Sequence, residues 1–205
     1  EIDRGHHHDL LMKTDETGKV TEMAVSTVGN EDDTLVGMGM FLMRRLHLIE
    51  VIQNAVARDQ HHFEREFLLR AFYREGLTVH ASRFDGVVLR NDSVPVYFKN
   101  NLRLIRAEVR KDLFRSDRPI YTKVRDEIPS FYGQDSKVDD CMIADGCRIE
   151  GHVENSVLFR DVKVGRGSVV KNCVIMQGVN IGENCRIDHV ITDKDVEISD
   201  GTELK

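Results

Sequence analysis

The sequence has 205 residues, of which 40% are hydrophobic and 31% are charged, and its formal net charge is −6. This length suits one large or two small domains with a real core. The negative charge excludes a general attraction to nucleic acid or anionic membranes. No apolar run approaches the roughly 20 residues of a transmembrane helix. The chain opens without a Met or a signal peptide, so we expect it to be part of something longer.

Residues 1–43 are predicted to form strands and turns. A turn at 15–18 precedes an alternating strand at 20–28, and a nearly continuous apolar run follows at 35–43. That run contains Gly37 and Gly39, and glycines within a strand indicate close approach of a backbone or a ligand. His6-His7-His8 is interpreted as a solvated loop, because three adjacent side chains on a strand cannot share one metal.

Helical periodicity begins at Arg45. The first predicted helix has an apolar stripe of Leu46, Ile49, Ile52 and Val56. The second spans 63–72 and ends before Gly76, with His61-His62 at its start as exposed or capping residues rather than ligands. A strand at 77–82 and a turn at Asp85-Gly86 follow, and Ser93 is predicted to cap a third helix that reaches residue 111.

The third helix contributes to the one basic region of this acidic chain. Arginines at 103, 106 and 110 lie on its polar side, and Arg118 follows in a segment, 112–137, that is predicted to be an extended linker. Such a run is usually a solvated face. The alternative is an anion or phosphorylated-effector site of Arg103, Arg106, Arg110 and Arg118, because the guanidinium binds phosphate bidentately.

A repeated pentad dominates the last third of the chain. It occupies residues 140–144, 155–159, 172–176 and 188–192, at intervals of 15 to 17 residues. Short β-branched runs joined by Gly, Asn and Asp corners predict a parallel β-solenoid of hexapeptide repeats, with about three short strands per coil. The alternative, an antiparallel meander, is disfavoured because Asn-Gly hairpin turns are missing.

All four cysteines fall in the predicted solenoid. Cys141 and Cys173 occupy the same position two coils apart, roughly 10 Å at the spacing of neighbouring strands, which is beyond disulfide reach. Cys147 and Cys185 recur in matching Cys-Arg-Ile steps, and no Cys-x-x-Cys pair indicates zinc. We therefore expect small core fillers in a reducing, cytoplasmic compartment.

Four stretches in the same order resemble the bacterial ADP-glucose pyrophosphorylases (glucose-1-phosphate adenylyltransferases) of glycogen biosynthesis. They are residues 36–41, Phe84-Asp85-Gly86, 97–102 and 118–122. The resemblance implies an α/β architecture, with part of a Rossmann-like nucleotidyltransferase domain over 1–111, the linker over 112–137 and a left-handed parallel β-helix over 138–205. It places Met38 and Gly39 on the strand beside the sugar.

Departures from the family pattern imply a non-catalytic subtype. Counting back from Asn101, the metal-binding Asp falls on Arg90 and a loop Gly falls on Asp92, while a glucose-contacting Ser is Gly37. A guanidinium cannot hold Mg²⁺ against phosphates, so no catalytic residue or metal ligand is carried over. The family's Gly-rich phosphate loop is not among these residues, and ATP and Mg²⁺ belong to the family reaction rather than to this chain. The pattern resembles the regulatory, GlgD type of subunit.

Three functional hypotheses follow. The first is a regulatory or structural subunit that assembles with a catalytic one, as a hetero- or homo-oligomer (a tetramer for the full length) and with allosteric control by a phosphorylated small molecule. The second is an active nucleotidyltransferase in which Asp85 or Asp92 replaces the missing carboxylate. The third is a hexapeptide acyltransferase with His152 or His189 as base; His189 is instead predicted to fill the structural position of Cys141, Ser156 and Cys173.

Overall fold

The computed structural model describes residues 9–26, 34–123 and 125–205. Two compact units divide these residues, one ending at Asp85 and the other running from Gly86 to Lys205. The predicted histidine loop at 6–8 and the end of the predicted strand at 27–28 lie outside the described residues. The helices within residues 94–113 belong to the same unit as the last third of the chain, so the division precedes the predicted boundary at 111.

The first unit contains a small antiparallel sheet. Its strands β1 (Asp9–Thr14), β2 (Val20–Ser26) and β3 (Leu35–Val36) lie in the order β2-β1-β3. The predicted strand at 35–43 is wrong beyond Val36. The predicted close approach is confirmed at Gly37, whose N–H donates to the Leu10 carbonyl at 2.7 Å. A Cβ at Gly37 would lie 3.1 Å from that of Leu10.

Two helical stretches cover this sheet. They are α1 (Arg45–Ala57) and a π-helical turn (Phe63–Leu68) that continues directly into α2 (Leu69–Arg74). Within this unit the buried core consists of Leu10, Val20, Met23, Val51, Phe67, Leu68 and Ala71. Helix α1 joins that core through Val51, whereas its predicted stripe is exposed. The apolar periodicity correctly predicted a helix. Its apolar side chains do not pack in the core, because Phe67 and Leu68 from the second stretch fill it.

Hydrogen bonds to the backbone support one predicted feature of this unit and correct another. The N–H groups of His61 and His62 both donate to the Glu66 carboxylate at 2.7 Å, which confirms their place at an exposed helix start. The predicted strand at 77–82 is reduced to a single bridge between Lys19 and His80. The Val79 carbonyl nevertheless accepts from the Val20 N–H at 2.9 Å, so the segment lies along the start of β2.

In the second unit the predicted third helix is two helices, α3 (Val94–Arg103) and α4 (Ala107–Leu113). The predicted cap is confirmed, since the Ser93 hydroxyl accepts from the Val96 N–H at 3.4 Å. The helix breaks after Arg103. The Arg110 guanidinium donates to the carbonyls of Leu104 and Ile105, which supplies partners for carbonyls at the end of α3.

The remainder of the second unit is the predicted parallel β-solenoid, which is confirmed. Its first sheet contains β4 (Phe131–Tyr132), β7 (Arg148–Ile149), β10 (Lys163–Val164), β13 (Asn180–Ile181) and β15 (Glu197–Ile198). Its second sheet contains β5 (Lys137–Asp139), β8 (His152–Glu154), β11 (Val169–Lys171), β14 (Arg186–Asp188) and β16 (Glu203–Leu204). Its third sheet contains β6 (Met142–Ile143), β9 (Val157–Leu158) and β12 (Val174–Ile175). The solenoid begins at Phe131, earlier than the predicted residue 138.

The corners between strands adopt left-handed backbone conformations at Asp, Asn, Gly and His. One column of corners stacks Asp140, Asn155, Asn172 and His189, with φ between 44° and 56°. In this column the Asn155 amide donates to the Asn172 side chain at 2.7 Å, and the Asn172 amide donates to Asp188 at 2.8 Å. These corners require residues that tolerate positive φ, which is why the repeat is rich in Asn and Asp.

The register corrects the predicted alignment of the fourth pentad. Lys171 pairs with Asp188, so Asn172 is matched by His189 rather than by Asp188. His189 therefore occupies a corner, and the prediction that it fills the position of Cys141, Ser156 and Cys173 is wrong; Val190 is there instead. Either Asp188 or His189 could match Asn172 at the corner, and the repeat pattern in the sequence did not distinguish between them.

The cysteines are free thiols, as predicted. Cys147, Cys173 and Cys185 are buried in the solenoid core, and burial raises the pKa of the Cys173 thiol to about 11. The predicted match between Cys147 and Cys185 is wrong, because the former precedes a strand of the first sheet and the latter a strand of the second.

Candidate functional site

The third sheet differs from the other two because both of its faces are apolar. Leu158 and Ile175 belong to the inner core, while Val157 and Val174 are also buried but lie outside that cluster. Alternate residues of a strand point to opposite faces, so these valines face outward. Helix α3 contacts β12 on this side, and the Phe98 ring lies 6.4 Å from that of His189. The outer face of the third sheet therefore seats α3, and residues 87–118 are called the helical segment below.

A buried asparagine fixes the loop before α3. The Asn100 amide donates to the Arg90 carbonyl at 2.7 Å and to the Asn91 side chain at 3.0 Å. Asn100 is one of few buried polar residues in the described part of the chain. The loop that the resemblance equates with a metal loop is thus held by a backbone contact from Asn100, while the Arg90 side chain is exposed. Nothing in the sequence other than the Asn100-Asn101 pair indicates this role.

We expect Asn100→Ala to lower the free energy of unfolding by about 1–2 kcal/mol, because it leaves the Arg90 carbonyl without this donor. Asn101→Ala is the matched control. The Asn101 amide donates to the Tyr97 carbonyl one turn earlier at 2.9 Å, a bond within the helix itself. Its removal should cost less than about 1 kcal/mol. Urea denaturation followed by circular dichroism measures both, and equal losses would contradict the special role of Asn100.

The four predicted effector arginines do not form one cluster of free guanidinium groups. Arg110 is turned to the backbone carbonyls between α3 and α4, and Arg118 lies 3.2 Å from Asp112. Arg106 is exposed and Arg103 is half-buried. Of the four arginines, Arg103 and Arg106 have side chains with no hydrogen-bond acceptor or acidic partner within the described residues.

Asp112 joins the two ends of the helical segment. Its carboxylate accepts from the Val87 N–H and pairs with Arg118. The hydrogen bond from Val87 and the charge of Arg118 hold the pKa of the Asp112 carboxyl below its ordinary value of 3.8. The carboxylate form therefore persists to lower pH than in an ordinary aspartate, and it ties residue 87 to the end of α4.

The other predicted positions offer no ligand cluster. Met38 and Gly39 are exposed in the first unit, and Asp92 is exposed in the second. His152 lies on the outer face of the second sheet, 3.5 Å from Asp139 and 3.9 Å from Glu154. His189 pairs with its neighbour Asp188 at 2.8 Å. Within the described ranges, no group of three or more His, Cys, Asp or Glu side chains is placed to hold a metal, and no helix there is long and apolar enough to cross a bilayer.

A stack of short parallel strands in coils of 15 to 17 residues is typical of hexapeptide-repeat proteins. The family model described as GlmU-like, C-terminal hexapeptide matches residues 128–204. The glycogen biosynthesis protein GlgD of Bacillus subtilis (strain 168) is 45% identical over 62% of this chain and 37% of its own length. GlgD of Geobacillus stearothermophilus is 54% identical over 35% of this chain and 21% of its own length.

A longer match covers both units. The glucose-1-phosphate adenylyltransferase of Bacillus mycoides (strain KBAB4) is 29% identical over 95% of this chain and 52% of its own length. The chain thus spans about half or less of the relatives that it matches. These similarities confirm the resemblance predicted from the sequence: the chain is related to the ADP-glucose pyrophosphorylases, and specifically to proteins of the GlgD type.

Proposed function

We propose that this chain is part of a regulatory or structural subunit of glucose-1-phosphate adenylyltransferase, the enzyme that makes ADP-glucose from ATP and glucose-1-phosphate for glycogen biosynthesis. The observation that carries the proposal is Arg90. It lies where the family resemblance expects a metal-binding carboxylate, and a guanidinium repels Mg²⁺. In this proposal Mg²⁺ and ATP are bound by a catalytic partner subunit.

The same proposal assigns the helical segment to regulation. Arg103 and Arg106 lack an acceptor among the described residues and are the proposed contacts for a phosphorylated small molecule, while Arg110 and Arg118 hold the segment together. The segment rests on the third sheet, so an anion bound there would act on a rigid support. The buried free thiols fit a reducing, cytoplasmic compartment.

The test mixes this chain with the catalytic glucose-1-phosphate adenylyltransferase of the same cell and follows pyrophosphate release from ATP and glucose-1-phosphate. We expect no release by the chain alone and a changed rate or KM in the mixture. Arg103→Ala with Arg106→Ala should abolish the response of the mixture to a sugar phosphate effector. Lys163→Ala, an exposed position on the first sheet, is the control and should leave that response intact.

Activity of the chain alone would overturn the proposal and favour the alternative in which Asp85 or Asp92 holds the metal. In that case Asp85→Asn or Asp92→Asn should abolish the activity. A mixture that behaves as the catalytic enzyme alone, at concentrations of the chain well above those of the enzyme, would also contradict a regulatory role.

A further inference from the structure

Strand β2 lies at the edge of the sheet in the first unit. Among the strands of the described chain it pairs only with β1, in the order β2-β1-β3. The edge that faces away from β1 is covered at its start by the segment after α2, where the Val20 N–H donates to the Val79 carbonyl at 2.9 Å. This cover ends at Leu77, because the Leu77 N–H turns back and donates to the Ala71 carbonyl of α2 at 3.0 Å. The middle of the edge therefore has no strand of the described chain beside it.

A single side-chain hydroxyl replaces a strand at that point. The Tyr73 hydroxyl accepts a hydrogen bond from the Met23 N–H at 3.0 Å and donates one to the Met23 carbonyl at 2.7 Å. A residue of an antiparallel strand exchanges these same two bonds with the residue opposite it. The hydroxyl can substitute for such a residue because an O–H group is both a donor and an acceptor. Tyr73 thus satisfies both backbone groups of Met23, the residue at the middle of the edge.

The hydroxyl of Tyr73 is a separate contribution from the packing of its ring. Tyr73 is 60% exposed, whereas Met23 and Ala71 are buried in the core of the first unit. The neighbouring Phe72 packs against that core, and the Tyr73 ring meets the Phe72 ring edge-on with the centroids 4.9 Å apart. Removal of the hydroxyl alone would leave these ring contacts in place, and it would free the N–H and the carbonyl of Met23.

We propose that Tyr73 closes the edge of β2, so that the middle of this strand does not pair with a strand of another molecule. An edge with free backbone groups is a template for a further strand. When the hydroxyl is missing, the occupant is β2 of a second copy, because the two freed groups of Met23 can exchange hydrogen bonds with the same groups of an identical residue. The native molecule avoids this pairing. The proposal does not depend on the proposed regulatory function.

The experiment compares Tyr73→Phe with the unchanged protein. Hydrogen–deuterium exchange at the Met23 amide should be about tenfold faster or more in the variant, because this N–H loses its acceptor. Sedimentation velocity over a dilution series should show larger species of the variant at concentrations at which the unchanged protein does not form them. Tyr121→Phe is the control, since Tyr121 is 92% exposed, and it should change neither measurement.

A second substitution separates edge pairing from a general loss of stability. Ala24 follows Met23 on β2, and its side chain is exposed on the opposite face of the sheet. Ala24→Lys in the Tyr73→Phe protein puts a charge on the strand that would pair, and like charges on two paired copies repel. We expect the double variant to lose the added association while its Met23 amide still exchanges rapidly. Unchanged exchange in Tyr73→Phe, faster exchange without added association, or association that persists in the double variant would each overturn the proposal.

Discussion

We expect Gly165→Ala to lower the free energy of unfolding by about 3 kcal/mol, the upper end of the usual range for overpacked sites. A Cβ at Gly165 would lie 2.5 Å from the carbonyl oxygen of Gly182 in the next coil and 2.9 Å from the Glu183 nitrogen. These atoms are backbone and cannot rotate away. The two coils would have to separate, which would lengthen hydrogen bonds such as that from the Gly165 N–H to the Ile181 carbonyl, 2.8 Å long.

Gly133→Ala is the matched control for this substitution. Gly133 follows β4 as Gly165 follows β10, so both occupy the same position of the coil. A Cβ at Gly133 would meet the flexible Glu150 side chain at 3.3 Å and no atom closer. We expect a change of less than about 1 kcal/mol. Urea midpoints followed by circular dichroism measure both variants, and an equally stable Gly165→Ala protein would mean that the coils are not as closely stacked as the structure has them.

Val174→Asp is expected to lower the free energy of unfolding by about 3–5 kcal/mol, the range found when a buried charge has no partner. Val174 is fully buried although it faces away from the solenoid core, because α3 covers it. The variant should also detach the helical segment, so limited proteolysis should cleave within residues 94–113 before the solenoid is degraded.

Val169→Asp in the same coil is the control for Val174. Val169 also faces outward, but it lies on the second sheet and is half-exposed between His152 and Arg186. A carboxylate there is solvated and has a cationic neighbour, so we expect a change within about 1 kcal/mol. Equal losses for the two variants would contradict the assignment of the third sheet as the seat of the helical segment.

The solenoid could be predicted because its repeat is visible in the sequence. Each coil repeats the same short strands and corners, so the 15- to 17-residue interval alone specifies the architecture. The sequence also contains a signal for the surface that the helical segment covers, the outer face of the third sheet. Strands β7, β10, β13 and β15 of the first sheet have one polar and one apolar residue, as in Lys163-Val164, whereas Val157-Leu158 and Val174-Ile175 are apolar at both positions. A strand that is apolar on both faces must be covered on both.

Other features depended on contacts that no local pattern specifies. The period of residues 93–111 continues smoothly through the break between α3 and α4, because the break is stabilised by Arg110 reaching back to the carbonyls of Leu104 and Ile105. Helix α1 keeps its predicted stripe on the exposed side, since the core that it joins is filled by Phe67 and Leu68. The Asn100 contact with the Arg90 carbonyl links residues in a loop and a helix, and spacing gives no sign of it.

Two corner columns of the solenoid alternate between glycine and an acid or amide, unlike the column of Asp140, Asn155 and Asn172. Gly146, Asp161, Gly178 and Asp195 alternate along one column, and Gly167, Asn184 and Gly201 alternate along another. The side-chain oxygen of Asn184 occupies the space where a Cβ of Gly167 would be, and Asp195 does the same over Gly178. A tandem copy of one coil would set Asp or Asn on top of Asp or Asn in these columns, so the side chain that now fills the glycine's space would have to turn aside, whereas a copied pair of coils would keep the alternation. Extension of this domain by two coils is thus expected to preserve these corner contacts, whereas extension by one coil is expected to rearrange them as in the column of Asn155 and Asn172.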